Sequence, residues 1–416
     1  MGRAAAAVSK EIGPPSGVLK VDMNTGTSAK DKDRYSQKTP GVYLEEKFRE
    51  PRREVFSTGV PVFIGLFRSE TGESKPVSRV LSLWSHFAWL IGKPYQNCTL
   101  GYAVRGFFQN GGTQCHVIVL EDLQLHSVQD ALDVAATFHT VDLVCVPDLG
   151  EQRSAALELQ QLVVNHCEDV GNRFAILDSW RDDKPADVCE QWSYIDGKNG
   201  AIYYPWIEVG GFDHGTILVP PCGHVAGVYA RTDKSRGVHK APANEVLEGV
   251  VKLERHLTNA DQDALNPNRI NCLRSFPGRG IRVWGARTLS GDDAWTYLNV
   301  RRLFLTAVRW IEWHMGDVVF EPNDEKLWAR IDSELQRYFL DLYRQGALQG
   351  RTPAEAYYVK CNAETNPREV IDSGRVVAEI GLAPTTPFEF VIVRLIYGAS
   401  GVSIKGPARP EQNIRR

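Results

Sequence analysis

The chain has 416 residues, enough for two or three domains around substantial cores. With 43% hydrophobic and 24% charged residues it has the composition of a soluble globular protein, and a formal net charge of -3 lacks the basic excess of a dedicated nucleic-acid binder. Eight cysteines are scattered without any C-x-x-C pair, which excludes a zinc ribbon or dithiol redox motif and leaves reduced, buried thiols as the expectation.

Residues 1–38 are polar, rich in Gly, Ser and Lys and without periodicity, so a flexible arm is expected there. Its one apolar run, 4–8, is too short for the hydrophobic region of a signal peptide. No window reaches the roughly 18 apolar residues of a membrane span. The chain is therefore expected to stay in the cytoplasm unless exported as part of a particle, and not to insert in a membrane.

Order should begin at Thr39-Pro-Gly-Val-Tyr-Leu-Glu-Glu46, an extended segment, followed by a charged connection over 48–59 and a strand over 60–67. From there the chain alternates: helix 100–108, strand 115–120, helix 128–138, strand 141–146, helix 154–169, strand 173–178. Strands separated by helical stretches imply crossover connections and a mainly parallel sheet covered on both faces. Residues 210–243 read as a loop-rich middle, after which a second α/β unit is expected from Asn266, with a strand over 281–287 and a helix over 294–315.

A further helix is well marked over 324–345. Asn323 and Asp324 are good caps, Leu327, Trp328, Ile331, Leu335, Tyr338, Phe339 and Leu342 recur at helical spacing, and Gly346 supplies the stop. Strands over 357–362, 376–382 and 388–397 close the fold, and a basic tail over 398–416 has little reason to fold alone.

Three chemical constellations fail on spacing. The glycines of Phe276-Pro-Gly-Arg-Gly-Ile-Arg-Val-Trp-Gly285 precede a strand, whereas a phosphate cradle needs them to open a helix. A Ser-His-Asp triad has no G-x-S-x-G nucleophile, and Ser28 lies ahead of every candidate histidine. Cys222, His224 and His239 do not have the spacing of a zinc site, so a backbone-satisfied loop histidine is expected at His224. No catalytic, metal or cofactor-binding residue is assigned.

Two arginine sets remain. Arg301, Arg302 and Arg309 flank an apolar helix face formed by Val300, Leu303, Phe304, Ala307, Trp310 and Ile311, and are left for local pairs or subunit contacts. Arg330, Arg337 and Arg344 recur every seven residues on the next helix, where Glu334 and Asp341 stand four residues on from the first two. That stripe is either self-paired and solvated or a docking face for an acidic partner.

Four phrases in order resemble contractile tail sheath proteins of phages, R-type pyocins and related injection particles. They are Pro220-Pro-Cys-Gly-His-Val-Ala-Gly-Val-Tyr-Ala-Arg-Thr-Asp233 with Arg236-Gly-Val-His-Lys-Ala-Pro-Ala-Asn244, then 278–288, then Tyr297-Leu-Asn-Val-Arg-Arg-Leu-Phe304, and Phe320-Glu-Pro-Asn323 leading to Trp328. The resemblance implies an α/β fold, with a subtilisin-like-type sheath domain over 60–265, a C-terminal α/β sheath domain over 266–386, a donated strand and linker over 39–59 and a donated strand and tail over 387–416.

It further implies a structural subunit that polymerises helically in stacked six-fold rings around an inner tube and contracts to drive that tube through an envelope. Baseplate and cap proteins are the other implied partners, and no cofactor or nucleic acid is. The strands implied to join neighbouring subunits carry Val42, Tyr43, Leu44, Glu45 and Glu46 at one end and Phe388, Phe390, Val391, Ile392, Val393 and Arg394 at the other. Arg330, Arg337 and Arg344 are the candidates to face the tube, and 48–59 and 384–387 the expected flexible joints. Alternatives are a baseplate or cap protein sharing these modules, or an α/β hydrolase, the latter requiring His224 within reach of a serine and a carboxylate.

Overall fold

A computed structural model describes residues 57–67, 77–151, 153–181, 183–387, 389, 394–398 and 401–405. The chain begins with β1 (Pro61–Leu66), β2 (Val77–Leu81), α1 (Ser85–Leu90) and α2 (Thr99–Gln109). Alternation follows through β3 (Cys115–Leu120), α3 (Leu125–Ala136), β4 (Leu143–Cys145), α4 (Arg153–Val170), β5 (Phe174–Asp178), α5 (Pro185–Ser193) and β6 (Gly200–Tyr204). Next come β7 (Ile207–Gly210), β8 (Thr216–Val219), α6 (Cys222–Arg236), β9 (Val250–Leu253), α7 (Asn259–Leu265), β10 (Ile270–Phe276) and β11 (Gly280–Trp284). The remainder comprises α8 (Leu298–His314), α9 (Glu325–Arg344), α10 (Pro353–Ala356), β12 (Tyr357–Lys360), α11 (Arg368–Asp372), β13 (Glu379–Leu382), β14 (Arg394–Gly398) and β15 (Gly401–Lys405).

Eight strands form one sheet in the order β11-β10-β6-β5-β4-β1-β3-β2. Its six inner strands are parallel and only β11 and β2, at the edges, are antiparallel. Side chains alternate between faces as a strand's period of two requires. Phe63, Val117, Leu143, Phe174 and Tyr203 enter one core with α2 and α6. Val62, Ile118, Val144, Ala175 and Ile202 enter the other, with α3 and α4. The parallel α/β architecture expected from the alternating pattern is therefore present.

Two expectations are corrected. The stretch read as a loop-rich middle contains α6, whose residues from Cys222 to Ala230 are all buried. A helix covered on every side has no polar face and so no 3.6-residue period to read. In addition, the stretch from Asn266, expected to open a second unit with a strand over 281–287, forms β10 and β11, which complete the first sheet, with β10 pairing in parallel with β6. Gly278 and Gly280, at φ 71° and 75°, make the tight β10–β11 turn in place of any anion cradle.

Pro221 precedes α6 and offers no capping side chain, and the Asp178 carboxylate at the end of β5 instead accepts from the Cys222 N–H at 2.8 Å. Close packing of α6 on α2 depends on two glycines. A Cβ at Gly227 would lie 2.5 Å from the Phe107 carbonyl oxygen, and one at Gly223 would overlap the Ala103 carbonyl.

The third core lies outside the large sheet. In it α9 buries Leu327, Ile331, Leu335 and Phe339 against Leu303 and Ala307 of α8 and against the β12–β13 ribbon. Asp324 caps α9, accepting from the N–H groups of Lys326 and Leu327 at 3.0 Å each, as its sequence signals required. The basic tail, expected to have little reason to fold alone, contains β15, which pairs antiparallel with β14 from Arg394↔Lys405 to Gly398↔Gly401.

Alanine is the better helix former by about 1 kcal/mol, yet Gly223→Ala is expected to destabilise the chain by about 1–3 kcal/mol through overpacking against α2. Urea unfolding of the variant measures this, and a stabilised protein would contradict the packing account.

Candidate assembly interface

Helix α8 is buried on two sides. Leu303 and Ala307 face α9, whereas Leu298 and Leu305 enter the core of the large sheet. Arg302 and Arg309 lie on the second side and are 2% and 3% exposed, far too buried to be left uncompensated.

Arg302 forms a bidentate pair with Asp233 of α6, Nη1 to Oδ1 at 2.9 Å and Nη2 to Oδ2 at 2.6 Å, and also reaches Asp142 Oδ2 at 3.3 Å. Burial works to lower the Arg302 pKa, but the carboxylates of Asp233 and Asp142 outweigh it, so the guanidinium is raised above its ordinary value. The same Asp142 carboxylate accepts from the backbone N–H of Gly59 at 3.0 Å and of Val60 at 2.6 Å. Arg309 donates to the carbonyls of Thr140 at 3.0 Å and Ser57 at 3.5 Å, and the Thr58 hydroxyl bonds Asp233. Gly59 has φ 72° and faces Ala230 of α6, whose Cα would lie 2.5 Å from an added Cβ.

Each residue from Ser57 to Val60 is thus gripped where the chain enters β1. The matching exit at the other end is held as well. Asn299, in the first turn of α8, donates to the carbonyls of His239 at 2.8 Å and Thr385 at 3.2 Å. Thr385 N–H in turn donates to Ala347 O at 3.1 Å, and Pro384 bridges Leu348. Arg287 pairs with Glu389, with its Nε at 3.0 Å from Oε1. The parts of the expected joints at 57–59 and 384–385 are therefore fixed points, because backbone groups entering a buried site must find partners.

The β12–β13 ribbon offers the complementary feature. Tyr357, Val359, Ile380 and Leu382 pack toward α9, while Tyr358 faces out and bonds Glu379 through its hydroxyl at 2.6 Å. Among the described residues neither outer edge of this two-stranded sheet carries a further strand. Unpaired edges of this kind are ready templates for strand addition.

Of the residues assigned from sequence, Val42, Tyr43, Leu44, Glu45, Glu46, Phe388, Phe390, Val391, Ile392 and Val393 lie outside the described residues, and Arg394 opens β14. Arg330, Arg337 and Arg344 are exposed on α9. Arg330 pairs with Asp317 and with Glu334, the latter at 3.4 Å, and Arg344 with Asp341 at 3.6 Å. The expected Arg337–Asp341 pair is not formed among the described residues, since Asp341 turns toward Arg344. At the far end of α8, Trp313, Val319 and Phe320 are exposed, and Phe320 adopts φ 74°, where a bulky side chain is strained.

His224 is a correction. It sits within buried α6, not in a loop, and neither ring nitrogen has a hydrogen-bond partner among the described residues. The geometry that a hydrolase would need, a serine and a carboxylate on this ring, is not met. Burial, reinforced by the charge of Arg105, lowers its pKa to about 3.

Residues 126–289 match the phage tail sheath protein central domain and residues 290–396 the phage tail sheath C-terminal domain. The chain is 32% identical to a subunit of the anti-feeding prophage helical sheath in its contracted state, with 86% of this chain and 99% of that one covered at a TM-score of 0.72. It is 30% identical to a chain of the PVC sheath complex, an extracellular contractile injection system in its contracted state, covering 88% of this chain and 99% of that chain at a TM-score of 0.72. The tail sheath protein of Vibrio phage KVP40 is 27% identical over 271 residues, covering 62% of this chain and only 39% of the phage protein.

Arg302→Met is expected to cost about 3–5 kcal/mol, because it strands the buried Asp233 carboxylate and leaves Asp142 only its longer cation contact with Arg309, at 3.9 Å. Equilibrium unfolding measures it, and a loss under about 1 kcal/mol, typical of a surface pair, would contradict the burial argument. Since the folded pKa of His224 lies below its unfolded value, its contribution is complete above pH 6.5 and is lost as pH falls toward about 3. His224→Leu should flatten the fall of the urea midpoint across that window, and an unchanged slope would contradict the assignment.

Proposed function

The chain belongs to the phage tail sheath family, and from that membership we propose that it is the repeating subunit of a contractile sheath. In this reading it polymerises helically around an inner tube, as stacked six-fold rings, and contracts to drive the tube through a target envelope. It assembles in the cytoplasm and becomes part of a phage tail-like or injection particle with baseplate and cap proteins. The role is mechanical, with neither catalysis nor a cofactor.

The observation that carries this reading is the pairing of an open two-stranded ribbon with two firmly rooted chain exits. A two-stranded sheet is marginal by itself and gains from added strands. The segments with Val42, Tyr43, Leu44, Glu45 and Glu46, and with Phe388, Phe390, Val391, Ile392, Val393 and Arg394, are the proposed donors, each seated on the β12–β13 ribbon of another copy. If each makes about five main-chain bonds at roughly 0.5–1.5 kcal/mol net, each connection is worth several kcal/mol. Because donor and acceptor are different surfaces, the contact is head-to-tail, and repetition without closure gives a helix.

Contraction then follows as a change between two packings of the bodies, the extended one metastable and the contracted one lower in free energy. The linking strands stay paired throughout. On α9, Arg337 is the first candidate for an acidic tube surface, because Arg330 and Arg344 already face carboxylates of their own body. A baseplate or cap role would give rings without tubes.

Deleting Met1–Lys47 is expected to abolish tubes while leaving a folded monomer, as seen by negative-stain microscopy and circular dichroism. A truncated protein that still polymerised would overturn strand donation. Arg337→Glu should weaken co-assembly with the inner tube at low salt without altering the fold, and unchanged co-assembly would return Arg337 to a solvated role.

A further inference from the structure

One polar line on α8 connects the two exits. Asn299, Arg302 and Arg309 stand at relative positions that a 3.6-residue period places within about 80° of one another, and about 15 Å of helix separates the first from the last. Asn299 holds the carbonyl of Thr385 at 3.2 Å. Arg309 holds the carbonyl of Ser57, and Arg302 grips Asp142 and Asp233, which bind Gly59, Val60 and Thr58.

This placement matters because β1 lies in the middle of the large sheet, between β4 and β3. Tension on the chain ahead of Val60 would otherwise fall directly on the β1 ladder. Here it first meets charge-assisted hydrogen bonds, which are shorter and stronger than neutral ones. Their acceptors, Asp142 at the entry to β4 and Asp233 of α6, are in turn held by Arg302 on α8, a helix whose opposite side packs on α9.

We propose that α8 is a strut between the two exits, carrying to the root at Thr385 part of the tension that would otherwise pass from the collar at residues 57–60 into the sheet alone. Asn299, Arg302 and Arg309 are its positioning residues. The proposal rests on the reading that the two extensions are held by neighbouring copies, and adds the route by which pull from one neighbour reaches another. A rigid route keeps the copies joined while their bodies repack.

The test is constant-force pulling on the full-length chain, with handles attached at Lys47 and Gly398. Thr58→Val and Asn299→Ala each remove a neutral group and so avoid the folding defect of a stranded buried charge. Each is expected to shorten the lifetime at fixed force about tenfold, the effect of one lost hydrogen bond to a charged or buried partner. Thr58→Ser, which keeps the hydroxyl, should retain the wild-type lifetime. Ile118→Val, a core variant in the sheet, should lower thermal stability without shortening the lifetime. The strut is overturned if Thr58→Val and Asn299→Ala shorten the lifetime no more than Ile118→Val does. A single chain is pulled, so that result would speak against the strut alone, whereas strand donation is tested by the truncation.

Discussion

The buried pairing of Arg302 with Asp233 and Asp142 is the constraint on which the rest of the molecule depends. It is the point where α6, α8, the start of β4 and the start of β1 meet. Taking these charges out of water is costly, and the cost is recovered only because every partner is in place. The geometry is therefore cooperative: the N–H groups of Gly59 and Val60 satisfy Asp142, Thr58 helps satisfy Asp233, and the guanidinium neutralises both. An apolar contact of the same area would hold the elements together but would tolerate sliding. Directional bonds fix the angle at which the chain enters the body.

Much of the architecture was legible in the residues. The alternation from residue 100 to 178 announced the parallel sheet, and α9 was marked by its cap, its periodic apolar face and its terminal glycine. What escaped was structure without a period. Helix α6 is buried all round, and its Gly, Pro and Cys residues imitate a loop. The hairpin of β10 and β11 resembled the start of a new unit because sequence order does not tell a strand which sheet to join.

The collar was only half visible. Asp233 ends one of the phrases that carry the family resemblance, and Asn299 and Arg302 lie in another, so the signal was present as wording without geometry. Arg302 and Arg309, seven residues apart, were read as flanking an apolar face, when α8 buries two faces and these arginines belong to the second. Two charges on one side of a helix that also carries Leu298 and Leu305 point to a buried ion network, and helical spacing alone reveals that pattern. Asp142 fell inside the expected strand 141–146, and its place ahead of β4, beside the entry to β1, emerged only from the fold.

These features together describe a body with fixed exits and an open ribbon, which suits a lattice whose members change orientation while staying linked. The most direct measurement is a helical reconstruction of the assembled protein that traces the chain ahead of Ser57 and beyond Thr385. The account predicts that the β12–β13 ribbon of each body is widened by strands from other copies, with Val42–Glu46 and Phe388–Arg394 as the added segments. A reconstruction in which both segments pair within their own body, and copies touch through side chains alone, would contradict it.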